Sequence, residues 1–134
     1  MAELILSRAL VDEMVAHAAA LYPEEVCGLL AGQAGRASRF YPVENIHHSP
    51  VAYEMEPVQQ IRAMLDIEAA GLELLAIVHS HPHGPARPSP TDVALAYYPD
   101  QVQLILSLAE PERPALGAFT IREGEVRAVA WGIE

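Results

Sequence analysis

The chain contains no lysine: its eight basic residues are all arginine, set against eighteen aspartates and glutamates, for a net charge of −10. Phosphate binding depends on Lys and Arg neutralising the backbone, so this balance excludes a nucleic-acid surface. The absence of lysine also means that no side-chain amine here can accept an isopeptide-linked modifier. Cys27 is the only cysteine. A single thiol excludes an internal disulfide framework and a thiolate metal cluster, and with them the Pro-Cys-x-x-Cys ligand pair of the zinc deaminases. His-Glu-x-x-His, the helical motif of another zinc protease class, is also missing. No apolar run is long enough to cross a bilayer, and the first residues, MAELILSRALVDEM, lack a basic segment followed by an apolar one. The expected location is the cytoplasm, without membrane attachment.

What is present is the composition of a globule. Of 134 residues, 51% are apolar and only 19% charged, which suits one folded domain spanning residues 1–134. From Ser7 to Tyr22, Leu10, Val11, Met14, Val15, Ala18 and Leu21 recur every three or four residues, predicting an amphipathic helix capped by Ser7 and stopped by Pro23. Residues 26–31 (VCGLLA) and 39–43 read as a strand hairpin, and Tyr53 to Met55 as a short strand. Pro57 opens a second helix to Ala70, with Val58, Ile61, Met64 and Leu65 sharing one face and Gly71 ending it. Residues 73–79 (ELLAIVH) are nearly continuous in apolar side chains, the pattern of a central strand covered on both sides. A Pro-rich loop follows, then a short helix from Ser89 to about Tyr98, and strands over 101–108, 115–122 and 125–131. This order implies an α/β fold with a single central mixed β-sheet flanked by helices.

His79 and His81 lie where the central strand runs out, and residues two apart in extended chain point to the same side. Catalytic zinc typically takes three His, Asp or Glu ligands and leaves a position for water, whose pKa falls to roughly 7. Asp92 is the best third ligand, because the loop over 82–88 can return the next helix across the strand end. An isolated His-x-His is equally a surface feature, however. Ser89-Pro90-Thr91-Asp92 is also a well-formed helix start, with Ser as N-cap and an acidic residue in the first turn. Glu24 and Glu25, just before VCGLLA, could supply the base that such hydrolysis requires, or could be solvated loop carboxylates. Cys27, inside an apolar strand pattern, reads as a small hydrophobe rather than a nucleophile.

Taken together, Glu25-Val-Cys-Gly-Leu-Leu, His79-Ser-His81-Pro, and Pro88-Ser89-x-x-Asp92, with seven residues between His81 and Ser89, resemble the JAMM (MPN-plus) metalloprotease family. The resemblance runs from Glu3 to Trp131 and implies the JAMM/MPN fold, which is cytidine-deaminase-like. It implies that His79, His81 and Asp92 bind one Zn²⁺ per chain, that Glu25 is the general acid/base, and that Ser89 hydrogen-bonds the oxyanion. In this family the scissile bond joins the C-terminal glycine of a ubiquitin-like protein to an amine. The chain looks like the compact prokaryotic branch, lacking the long insertions of eukaryotic deubiquitinating members. The leading substrate class is therefore a ubiquitin-like or sulfur-carrier protein with a Gly-Gly C-terminus, and the alternative is a non-catalytic interaction module. Tyr53 and Met55 are expected to form the sheet edge along which such a tail binds by strand addition. His83 falls outside the motif, and homodimerisation is left open.

Overall fold

The computed structural model describes residues 3–96 and 98–134. In chain order its elements are β1 (Leu4–Leu6), α1 (Arg8–Leu21), β2 (Cys27–Gln33), β3 (Arg36–Val43), α2 (Pro57–Ala69), β4 (Glu73–His81), α3 (Pro90–Ala94), β5 (Val102–Ser107), β6 (Ala115–Arg122), β7 (Glu125–Ala128) and β8 (Trp131–Ile133). The eight strands form one sheet in the order β7-β6-β5-β4-β2-β3-β1-β8. It is mixed: β1 runs parallel to β3 and β8, and β4 parallel to β5, while the remaining pairs are antiparallel. The α/β arrangement is the expected one.

Two ends of this sheet differ from the sequence reading. The segment 125–131 is not one strand. It splits into β7 and β8, which are separated by only two residues yet stand at opposite edges of the sheet. The Val129 amide donates to Ala118 on β6 (2.8 Å), while the Ala130 carbonyl accepts from Glu3 (2.9 Å) and Leu4 (3.2 Å) beside β1. The sheet therefore curls until consecutive residues reach both of its edges. Irregular register after Leu30 and after Ala31 marks bulges in β2, which increase local twist. β1 itself, three residues long and buried, carries too little periodicity to be read from sequence.

The helices take opposite faces. α1 is capped by the Ser7 hydroxyl, which accepts the Leu10 amide at 3.1 Å, and lays Leu10, Val11 and Met14 against Leu4, Leu6, Leu30, Val78 and Leu104. α2 packs on the other face, over Cys27, Leu29, Ala31 and Ile77. It does so through Ala63 and Ile67, leaving Val58, Ile61 and Leu65 mostly exposed. Of the expected apolar face only Met64 packs against this cluster, and Val58, Ile61 and Leu65 look outward. Among the described residues, no helix is long and apolar enough to cross a membrane.

The Pro-rich loop is pinned to the sheet at successive residues. The Ser107 hydroxyl donates to the Gly84 carbonyl (2.6 Å), and a Cβ on Gly117 would stand 2.2 Å from the Ala86 carbonyl oxygen. Gly117→Ala is expected to displace this loop and to destabilise the fold by about 1–3 kcal/mol through overpacking. Thermal melting measured alongside metal binding checks this, since both should fall together.

Candidate metal centre

Register sets the site. Antiparallel pairing places Cys27 opposite His79, so Glu25, two residues before it, falls beside the end of β4. β4 extends through His81, two residues past the expected boundary, which keeps both histidines on extended backbone and facing one side. Ser80, between them, points the other way and its hydroxyl accepts the Val26 amide at 2.8 Å, tying the start of β2 to the end of β4. The loop then brings α3 across the strand end. α3 is five residues long, shorter than expected, and position 97, within the predicted helix, lies outside the described residues.

Glu25, His79, His81 and Asp92 each present one ligand atom, all within 4.8 Å of one another. His79 and Glu25 are almost wholly buried, at 1% and 2% exposure. The His81 Nδ1 lies 2.8 Å from the Pro85 carbonyl, which can only accept, so this nitrogen carries the proton and Nε2 presents its lone pair. His79 is oriented in the same way: Nδ1 donates to Glu25 Oε1 at 3.0 Å, leaving Nε2 free. Both lone pairs then meet Asp92 Oδ2, His81 Nε2 at 2.9 Å and His79 Nε2 at 4.0 Å. Acceptors this close need a cation between them, either a proton or a metal ion. Two ligands about 2 Å from one tetrahedral ion are about 3.3 Å apart, and the two observed separations bracket that value. The donor set fits a small divalent metal.

The same proximity governs protonation. Burial works against charge on Asp92, but its hydrogen bond with His81, the neighbouring His79 and the Ser89 amide hold its carboxyl at about 2. Burial lowers and the Asp92 and Pro85 hydrogen bonds raise the His81 pKa, with a net shift upward. A metal ion therefore competes with a proton for this pair, which makes its binding pH-dependent.

Ser89 is the N-cap of α3. Its hydroxyl accepts the Asp92 amide (3.1 Å), and its own amide donates to Asp92 Oδ2 (2.9 Å), a complete capping box. The capping role and a place at the site coexist, since the same box orients Asp92 and leaves the hydroxyl proton of Ser89 free. Tyr53 stacks on His79, with ring centroids 4.6 Å apart and planes inclined by 23°. Tyr53 to Met55 is not a regular strand; it makes a single antiparallel bridge between Met55 and Asn45. The flanking bonds, Ile46 N–H to Glu54 and Glu56 N–H to Glu44, turn the Met55 N–H and C=O away from that partner.

Sequence reasoning passed over Asn45. Buried at 7% exposure, its amide donates to Glu25 O (2.9 Å) and Ala52 O (3.0 Å) and accepts from His47 and Glu54 (3.1 Å each). It thus fastens the Tyr53 segment to Glu25. A lone loop Asn carries no sequence signal for such a role.

Cys27 stays outside the chemistry. Burial, with the Glu25 carboxylate adding to it, pushes its thiol up to about 12, and Sγ donates to the Val43 carbonyl. The folded protein is expected to resist thiol reagents at pH 8 and to react fully once unfolded in guanidinium, which a timed labelling assay reads directly.

Two cavities flank the cluster. One, of about 210 Å³, is lined by His79, Asp92, Tyr53, Met55 and Leu95. The other, of about 330 Å³, is lined by Glu25, His81, Ser89, Val51 and Arg87.

Comparison with known proteins gives this geometry a context. Residues 7–121 match the family described as prokaryotic homologs of the JAB domain. The chain is 38% identical over 125 residues to the CysO-cysteine peptidase of Mycobacterium tuberculosis, covering 92% of this chain and 86% of that protein. It is 44% identical over 91 residues to a probable TtuB-protein conjugate cleaving protease of Thermus thermophilus, covering 67% and 61%. The solution structure of a Desulfitobacterium hafniense protein superposes with a TM-score of 0.89 at 38% identity, covering 98% of this chain and 92% of that one.

Proposed function

The chain belongs to the prokaryotic homologues of the JAB domain, the compact prokaryotic branch of the JAMM (MPN-plus) family, and from that premise we propose that it is a Zn²⁺-dependent peptidase. Its substrate in this reading is a ubiquitin-like or sulfur-carrier protein, cleaved after its C-terminal Gly-Gly. The observation that carries the reading is the convergence of Glu25, His79, His81 and Asp92, with both imidazole tautomers set by neighbours on the chain itself. The names of the two relatives, a CysO-cysteine peptidase and a protein conjugate cleaving protease, support the substrate class.

In this mechanism His79, His81 and Asp92 hold one Zn²⁺ per chain. The metal would supply Lewis-acid chemistry, making water acidic enough to ionise near neutrality and polarising the scissile carbonyl. Glu25, beside the cluster and shielded from solvent, takes the proton of the attacking water and passes it to the departing amine. Ser89 offers its free hydroxyl proton to the carbonyl oxygen as negative charge develops there. The tail lies extended along Tyr53 and Met55, bonded to backbone groups that face away from Asn45, so that its glycines reach His79 and Asp92.

Mass spectrometry of Gly-Gly-tailed proteins carrying a C-terminal extension or an amide adduct, incubated with the zinc-loaded enzyme, tests this reading. The expected product ends in Gly-Gly and has lost the appended group. Persistence of the intact substrate, or cleavage elsewhere, overturns it.

A further inference from the structure

The cavity on the Glu25 side contains a cation without an assigned role. Arg87 lines it together with Glu25, His81 and Ser89, and it is the only arginine to do so. Among the described residues no carboxylate lies within salt-bridge distance of Arg87; Arg8, Arg39, Arg62 and Arg113 are likewise unpaired, but of these only Arg87 lines the cavity. Its backbone is held firmly. The Arg87 amide donates to the Pro85 carbonyl at 2.9 Å, the same carbonyl that orients His81, and Ala86 abuts Gly117. The Arg87 guanidinium, exposed on a backbone held in this way, is suited to receive a carboxylate from outside the protein.

We propose that Arg87 determines specificity by binding the α-carboxylate of the leaving residue, so that the enzyme favours releasing a single free amino acid from the Gly-Gly tail. The proposal rests on the peptidase reading above. Hydrolysis breaks the bond between the glycine carbonyl carbon and the amine nitrogen; water's oxygen joins the carbon, and a proton delivered by Glu25 completes the amine. The departing nitrogen therefore lies on the Glu25 side, where Arg87 stands. In a C-terminal residue a carboxylate follows that nitrogen after a single carbon. In a lysine conjugate the same nitrogen ends a four-carbon stem and brings no carboxylate with it. The Glu25 carboxylate would repel a leaving carboxylate, and Arg87 offsets that repulsion.

The test compares one Gly-Gly-tailed protein ending in a further alanine with the same protein ending in alaninamide. For the zinc-loaded enzyme, kcat/KM should favour the free acid by about 10- to 100-fold, the range for a hydrogen-bonded charge. Arg87→Gln should bring the two substrates to similar values, and Arg87→Lys should restore part of the preference. Equal cleavage of both by the wild type, or an equal slowing of both in Arg87→Gln, overturns the assignment. Cleavage of a lysine conjugate alone overturns it while leaving the peptidase reading intact; cleavage of no Gly-Gly substrate removes both. Independently of turnover, the Arg87 Nε–H resonance should shift on titration with L-alanine and not with L-alaninamide, and an unmoved resonance under L-alanine overturns the proposal.

Discussion

Glu25→Gln is expected to lower kcat by about 10² to 10⁴-fold, the contribution typical of a positioned general acid/base, while leaving the fold and the metal content in place. The substitution nearly preserves shape. The Gln carbonyl oxygen can still accept from His79 Nδ1, as Glu25 Oε1 does at 3.0 Å, so the imidazole keeps the tautomer that presents Nε2. What disappears is the capacity to take up a proton. Because Glu25 is almost wholly buried, bulk water is poorly placed to replace it. Metal analysis alongside steady-state kinetics separates the two effects. Retained hydrolysis with bound metal would remove Glu25 from the proton pathway, whereas loss of metal in this variant would mean that its carboxylate is a ligand.

Removing the metal should abolish hydrolysis altogether, and returning Zn²⁺ should restore it at one ion per chain. Binding to the folded state alone also raises stability, by about 4 kcal/mol when free metal exceeds its Kd a thousandfold, so the melting temperature should climb with Zn²⁺ concentration. Asp92→Asn distinguishes a helix cap from a ligand. Asn can accept the Ser89 amide as Asp92 Oδ2 does, so the start of α3 survives and the metal-free protein loses only the charge that pairs with His81. A capping role alone predicts that this variant binds Zn²⁺ and hydrolyses substrate normally. The ligand role predicts that metal-induced stabilisation is lost along with activity, a result that calorimetry and kinetics on one preparation can decide.

How much of this was legible beforehand varied by residue. His79 and His81 were ambiguous as an isolated pair and became legible through their joint spacing with Glu25, Ser89 and Asp92, although alternation on a strand already turned them to one side. α1 was plain, since its cap, its three-and-four periodicity and its stopping proline agreed. α2 misled in part: Met64 of the expected face packs inward, but Val58, Ile61 and Leu65 stay exposed and the helix rests on Ala63 and Ile67. Periodicity identifies a stripe, but the surface that a helix meets decides which stripe is used. Tyr53 to Met55 has an extended pattern but pairs through a single bridge, because the Asn45 side chain supplies bonds that a neighbouring strand would otherwise make.

By itself the sequence determined the inventory of the site and its chemical character: imidazoles and carboxylates at set intervals, with no second thiol and no lysine to offer other chemistry. It also determined the local conformations that depend on neighbouring residues, such as the Ser7 and Ser89 caps. Only the tertiary structure decided which groups meet. The β2–β4 register brings Glu25 to His79 across 54 positions of chain, the curl of the sheet sends β7 and β8 to opposite edges, and the pinned loop sets Arg87 in the cavity beside Glu25. Spacing along a chain specifies direction over a few residues, whereas contact between distant segments depends on register, twist and packing, which the whole fold settles at once.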